Sequence, residues 1–169
     1  MSILDNGSKA RFLLEIKGAP VVEVVDFEVN EWLTQPYRVD INLASPFKIT
    51  FEKAMSQEAL LTLKADGPDR YFHGIIWQFE HTGKIGSNAL NDKHLYRAQI
   101  VPFTQLLSLE QDCRIFQNKN VQEIVEDIFK DAKIPSDRYD FRLKNKEHKR
   151  RYCVQYRETG LDFINRILQ

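Results

Sequence analysis

Apolar residues keep a period of two from about Ala10 to Phe103, and from Val121 onward they keep a period of 3.6. That change of period constrains the fold more than any other feature of the chain. A pleated strand turns every second side chain to one face, whereas a helix turns every third or fourth. In the first part Phe12, Leu14 and Ile16 share one face of Ala10–Lys17. Val25, Phe27 and Val29 alternate with Asp26, Glu28 and Asn30, and Tyr37, Val39, Ile41 and Leu43 alternate with Arg38, Asp40 and Asn42. Leu61 and Leu63 mark a shorter strand, and Arg70–Thr82 and His94–Phe103 mark two longer ones. β-Branched and aromatic residues with one wet face favour an antiparallel barrel or sandwich.

Turn chemistry separates these strands. Lys17-Gly18-Ala19-Pro20 is expected to close a hairpin between the first two, and Ala65-Asp66-Gly67-Pro68-Asp69 another. Gly83–Asp92 reads as a polar loop. Gly74 falls inside a strand, where it implies a bulge or a tight barrel bend.

The second part begins differently. Val121, Ile124, Val125, Ile128 and Phe129 form one face of a helix, with Asn120 as N-cap and Glu123 at the capping-box position. Pro135 ends it. Tyr139–Leu143 and Tyr152–Tyr156 read as strands, and Thr159, with Asp162 three residues on, caps a closing helix. That helix carries an apolar stripe of Leu161, Ile164 and Leu168, flanked by Phe163 and Ile167, with little chain left to bury it. A helix of about ten residues is marginal alone. The expectation is therefore a piece of a longer polypeptide: residues 1–110 a β-barrel, residues 111–169 the start of a helix-containing α/β segment. The fold class is mainly β with an α+β tail.

Composition narrows function mostly by exclusion. Twenty-four Lys and Arg balance twenty-four Asp and Glu, which argues against a generic polyanion binder. Cys113 and Cys153 lie forty positions apart with no CxxC partner, so the disulfide-rich class is excluded; two reduced thiols are expected, a single disulfide being the alternative. The first twelve residues lack an apolar core, so an ordinary secretory signal is not expected, and assembly is placed in the cytoplasm.

Residues for chemistry are sparse. His73, His81, His94 and His148 show no HExxH or HxH spacing. His73 and His81 are eight apart on one strand, about 26 Å, too far to share an ion. His81 and His94 flank the polar loop and can approach each other, but no cysteine stands near them. There is no GxSxG, Walker loop or GxGxxG, and no distinguished carboxylate pair. Catalytic, cofactor-binding and metal residues are accordingly expected to be none. The basic run Arg138–Arg151 holds seven Lys or Arg against two acids, with Tyr139, Phe141 and Tyr152 nearby, and is the one feature suited to single-stranded nucleic acid. The bland alternative is a solvated loop or an acidic protein partner.

Several blocks resemble the valine-glycine repeat protein G (VgrG) family, the spike proteins of type VI secretion systems. They are Tyr37-Arg38-Val39-Asp40 leading into Ala44-Ser45-Pro46, Arg70–Ile76 ending in Phe79-Glu80, Tyr96–Pro102, Asp112–Gln117 with Val121–Ile124, Arg151–Thr159, and Leu161–Ile164. They stand in the family's order from residue 37 to the end. Gly160 departs from the aspartate expected between Thr159 and Leu161, which loosens the helix start by a fraction of a kcal/mol.

The resemblance implies a structural role in a puncturing device and not an enzyme, without cofactors. Family members are homotrimers whose subunits each contribute two related barrels. The resulting ring of six barrels sits on a hexameric tail-tube ring protein among baseplate proteins. A β-helical needle, a tip protein and effectors lie further along. The assembly crosses the target membrane, which this region would not itself bind, and is exported without a signal peptide. This chain would be the N-terminal part of the hub-like head, with a contractile phage or tailocin baseplate hub as the cousin reading. The rival of another class, a nucleic-acid-binding barrel, predicts salt-sensitive oligonucleotide binding lost on changing Lys146, Lys149, Arg150 and Arg151 to glutamate.

Overall fold

The computed structural model describes residues 12–64, 67–86, 92–144 and 148–169. Ala10 and Arg11 of the first expected strand, Ala65 and Asp66 of the expected turn, Ser87–Asn91 of the polar loop and Lys146 of the basic run lie outside them. By contacts the chain divides into two compact units, one reaching to Trp32 and including Tyr37–Pro102, the other comprising Leu33–Pro36 and Phe103–Gln169.

The first unit is one six-stranded antiparallel sheet. Its strands are β1 (Phe12–Ile16), β2 (Glu23–Asn30), β3 (Arg38–Ser45), β4 (Glu58–Leu63), β5 (Arg70–Ile85) and β6 (Lys93–Val101), in the spatial order β1-β4-β5-β6-β3-β2. The short helix α1 (Phe51–Ala54) interrupts the connection from β3 to β4. The sixteen-residue β5 pairs with β4 along its first half and with β6 along its second. The sheet thereby curls around Leu14, Val39, Ile41, Leu43, Leu61, Phe72, Ile76, Tyr96 and Ile100, all buried.

Several expectations are corrected or refined here. Lys17–Pro20 does not close a hairpin: β1 pairs with β4 and β2 with β3, and Gly18, at φ +76°, turns the chain between the two edges of the sheet. The edges meet through side chains, Phe12 edge-on to Phe27 at 5.6 Å, so the barrel is a curled half-barrel whose seam carries no ladder among the described residues. Val25 does not face the core with Phe27 and Val29. A bulge between Val24 and Asp26 turns it to solvent, 56% exposed, and Val24 packs inward instead. The polar loop is shorter than expected, because β5 runs on to Ile85 and β6 begins at Lys93. Gly74 sits in an unbroken register opposite Ala59, while the bulges of β5 fall between Ile76 and Gln78 and between His81 and Gly83. What Gly74 supplies is closeness: a Cβ there would stand 2.0 Å from the Val101 carbonyl oxygen.

The second unit packs helices on a two-stranded ribbon. β7 (Gln111–Lys119) and β8 (Arg150–Thr159) pair antiparallel; α2 (Val121–Asp131) and α3 (Gly160–Leu168) follow them in the chain. The capping box at α2 forms as expected, with the Asn120 side chain accepting from Glu123 N–H and the Glu123 carboxylate from Asn120 N–H, both at 2.8 Å. Thr159 Oγ1 accepts from Asp162 N–H at 3.0 Å.

Two further expectations fail. Tyr139–Leu143 is not a strand: it follows a 3-10 turn at Ser136–Arg138, and its aromatic rings leave the ribbon to pack on Phe129, Tyr139 at 4.7 Å and Phe141 at 6.4 Å. The stripe of the closing helix is not left uncovered. Phe163, Ile164 and Ile167 are buried in one cluster with Leu107, Phe116, Ile124, Val125, Ile128, Phe129 and Cys153, and only Leu168 remains largely exposed. Leu107 and Phe116, distant in sequence, are among its partners.

Candidate functional site

The chemistry-bearing residues are scattered. His73 lies on β5 with Nε2 3.4 Å from a Glu58 carboxylate oxygen, and its backbone carbonyl accepts a 2.6 Å hydrogen bond from the Tyr37 hydroxyl. Burial of that phenol, and secondarily the charge of Glu31, pushes the Tyr37 pKa up to about 12. This ties the residue just before β3 to β5. His148 is exposed. His81 and His94 do meet, ring nitrogens 3.3 Å apart across the β5–β6 ladder. Among the described residues no group of three or more His, Cys, Asp and Glu could hold a metal ion. The two cysteines do not pair: Cys113 is exposed and Cys153 buried, on opposite faces of the ribbon.

The basic run is divided by the fold. Arg138 lies over the Phe103 ring at 5.7 Å, and Arg142 pairs with Asp140 at 3.0 Å. Lys149 pairs with Glu123 at 3.6 Å. Arg150 reaches the Ile167 carbonyl at 3.4 Å, at the C-terminal end of α3, where a cation is favourable. Arg151 stacks over Tyr152. Several of the charges counted together in the sequence thus have protein partners, which does not support the nucleic-acid reading.

What the second unit does present is a worked surface. Ile115, Tyr152, Val154 and Tyr156 project from one face of the β7–β8 ribbon and are each about half or more exposed. Ile115 stands opposite Val154 and Cys113 opposite Tyr156. The other face of the ribbon, with Phe116, Cys153 and Gln155, is buried. In Tyr152–Tyr156 the large apolar side chains Tyr152, Val154 and Tyr156 take the open face, with Cys153 and Gln155 on the covered one. Beside the ribbon runs a groove of about 550 Å³ along β7 and α2, lined by Arg114, Lys119, Asp127, Lys130 and Asp131. Its charges compensate one another. Arg114 bridges Asp112 and Asp131, and Lys119 pairs with Asp127. The Arg114 hydrogen bond, then the Cys113 N–H, holds the Asp112 carboxyl below its ordinary range. Likewise Arg166 holds the Glu158 carboxyl low and donates to the Val154 carbonyl at 3.0 Å, fastening α3 to β8. These ion pairs tie β7 to α2 and α3 to β8.

Comparison with known proteins identifies the architecture. The model of the phage tail baseplate hub family matches residues 30–169. The chain belongs to the phage tail baseplate hub family. It is 32% identical over 154 residues to the type VI secretion system spike protein VgrG1b of Pseudomonas aeruginosa, covering 90% of this chain and 20% of that protein. It is 34% identical over 174 residues to the spike protein VgrG3 of Vibrio cholerae, covering 95% and 16%. The resemblance to VgrG spike proteins read in the sequence is thereby shown. The chain spans about a fifth of the length of these curated relatives. Among solved structures, the E. coli c3393 protein, a component of the type VI secretion system with structural similarity to the T4 phage tail proteins gp27 and gp5, superposes with a TM-score of 0.73 at 29% identity, over 92% of this chain and 42% of that one. A 43 kDa tail protein of prophage MuSo2 from Shewanella oneidensis shares the fold at a TM-score of 0.60 and 12% identity, over 93% of this chain. The mainly β, hub-like fold is therefore that of the family. Among the described residues no helix is long and apolar enough to cross a membrane.

Proposed function

We propose that the chain is part of the hub-like head of a type VI secretion spike, a structural component of the puncturing device that carries effectors toward target cells. The observation that carries the reading is the family match across 30–169, joined to better than 30% identity with spike proteins over nine-tenths of the chain. In this reading residues 1–110 contain the first barrel of the hub, with Phe103–Ser108 packing in the second unit, and 111–169 open the segment leading from it. The protein acts as a homotrimer on a hexameric tail-tube ring, among baseplate proteins, with tip protein and effectors held elsewhere in the assembly. It assembles in the cytoplasm and leaves through the machine it belongs to. Its work is mechanical, not enzymatic. A load-bearing hub needs a stiff curled sheet and contacts that close on themselves around a threefold axis. The edges of β1 and β2, which carry no further ladder among the described residues, and the exposed ribbon face of Ile115, Tyr152, Val154 and Tyr156 suit such contacts.

The test reads the gene's surroundings and the mass of its product. Secretion sheath and ATPase genes nearby, and a product of three chains by light scattering that binds the neighbouring tube protein, are the expected results. A product that stays monomeric and ignores the tube protein would sink the proposal. The phage or tailocin hub is the second reading, favoured by the prophage tail protein of the same fold; capsid or lysis genes alongside would select it. At physiological salt, oligonucleotide binding is expected to be negligible.

A further inference from the structure

We propose that His81 and His94 form a two-imidazole site for a tetrahedral divalent transition metal ion, Zn2+ being the best fit. Zinc binds imidazole nitrogen at about 2.0–2.1 Å, and two such bonds at a tetrahedral angle put the nitrogens about 3.3 Å apart. His94 Nδ1 and His81 Nε2 are 3.3 Å apart. A hydrogen bond between the two rings spans the same distance, and an ion would take the place of its proton; the rings are tilted by 51° instead of stacked.

The local fold sets up this approach. His81 faces Tyr96 across the ladder, so His94, two residues before Tyr96, is its diagonal neighbour on the same face. Diagonal pairs are normally about 7–8 Å apart at the backbone, within reach of two imidazoles. The bulge between His81 and Gly83 changes the local twist where the rings meet. Tyr96 braces both rings, 5.1 Å from His81 and 6.3 Å from His94. The Tyr96 ring is itself buried, stacked on Phe79 at 4.9 Å, and its hydroxyl accepts from Ile49 N–H at 2.7 Å. The two ligands are thus held before any ion arrives. His81 is open to solvent, which supplies both the entry path and waters for the remaining positions. Ligation needs neutral imidazole. Lys84 and Lys48 lie near His94 and repel a cation, so binding is weaker than at a structural zinc site.

The experiment is a Zn2+ titration of the untagged chain, followed by calorimetry and by imidazole 15N resonances. One ion per chain is expected, shifting Nε2 of His81 and Nδ1 of His94. His81→Gln and His94→Gln are each expected to weaken Zn2+ at least about tenfold, the lower limit for disturbing a ligand's support. His73→Gln and His148→Gln should leave binding unchanged. The ring resonances of the unsubstituted chain decide the matter even where a variant folds poorly. If saturating Zn2+ leaves both rings unshifted, or either glutamine variant binds as the parent does, the site does not exist.

Discussion

Replacing Phe163 by alanine should unravel the second unit. The side chain is fully buried, its ring lies 5.6 Å from Phe116 at an interplanar angle of 12°, and the Arg166 guanidinium covers it at 5.2 Å. Phe→Ala in such a site costs about 3–5 kcal/mol. The unit holds roughly seventy residues, for which about 4–10 kcal/mol of stability is ordinary. The substitution therefore removes between about a third and all of it. At tenfold per 1.4 kcal/mol, protected amides of α2 and β7 should exchange hydrogen roughly a hundred- to several thousand-fold faster. Phe163→Leu keeps most of the volume and should cost less than about 2 kcal/mol. Mass spectrometry of peptides covering Asn120–Asp131 and Gln111–Lys119 reads the effect directly. Exchange within tenfold of the parent in the alanine variant would mean that α3 is not part of this core and that its apolar stripe awaits another partner.

Gly74→Ala should lower the urea midpoint sharply, by more than the roughly 1–3 kcal/mol of ordinary overpacking, because the new Cβ meets the Val101 backbone and no rotamer can relieve it; an unchanged midpoint refutes the close approach. Gly160→Ala should instead stabilise the second unit by about 0.5–1 kcal/mol, since its Cβ would meet Leu107 and Ile128 at ordinary contact distance, 3.4 and 3.5 Å, and the helix start would stiffen; a fall in denaturation midpoint would contradict this. A maleimide should label Cys113 in the native chain and Cys153 only after unfolding, and equal native labelling would place Cys153 wrongly. The raised pKa of Tyr37 favours its neutral form in the fold. Its contribution is full below the unfolded value near 10 and is lost as pH rises from about 10 to about 12. Tyr37→Phe should lack that part of the alkaline loss, and identical alkaline profiles would refute it.

The strands of the sheet were legible because they obey period two against one core. Val39, Ile41 and Leu43 needed nothing more than their alternation. Asn120 and Thr159 announced their helices because a cap is a local contract between residues three apart. The errors arose where the answer depended on distant residues. Val25 fits the alternation, and only pairing with β3 introduces the bulge that turns it out. The turn at Gly18 has the chemistry of a hairpin, yet the partners of β1 lie in Ala59–Leu63, more than forty residues on. Tyr139 and Phe141 alternate as a strand would, but Phe129 offers them a better surface than solvent does.

The same distinction explains the candidate sites. The run Arg138–Arg151 was conspicuous because charge is countable in sequence, and the fold spends several of those charges on Glu123, Asp140 and the Ile167 carbonyl. The His81–His94 pair was visible in the sequence only as two residues flanking a loop, thirteen positions apart. Whether a pair so placed meets depends on the register of the ladder and on one bulge, and neither is written in residue types. A hub is subject to this limit throughout. The contacts proposed for it fall on a ribbon face whose composition, Ile115 beside Tyr152 and Val154, is that of any buried strand until the ladder shows which side is left open. Mutation of that face, more than of any charged residue, is where a defect in assembly without a defect in folding should be sought.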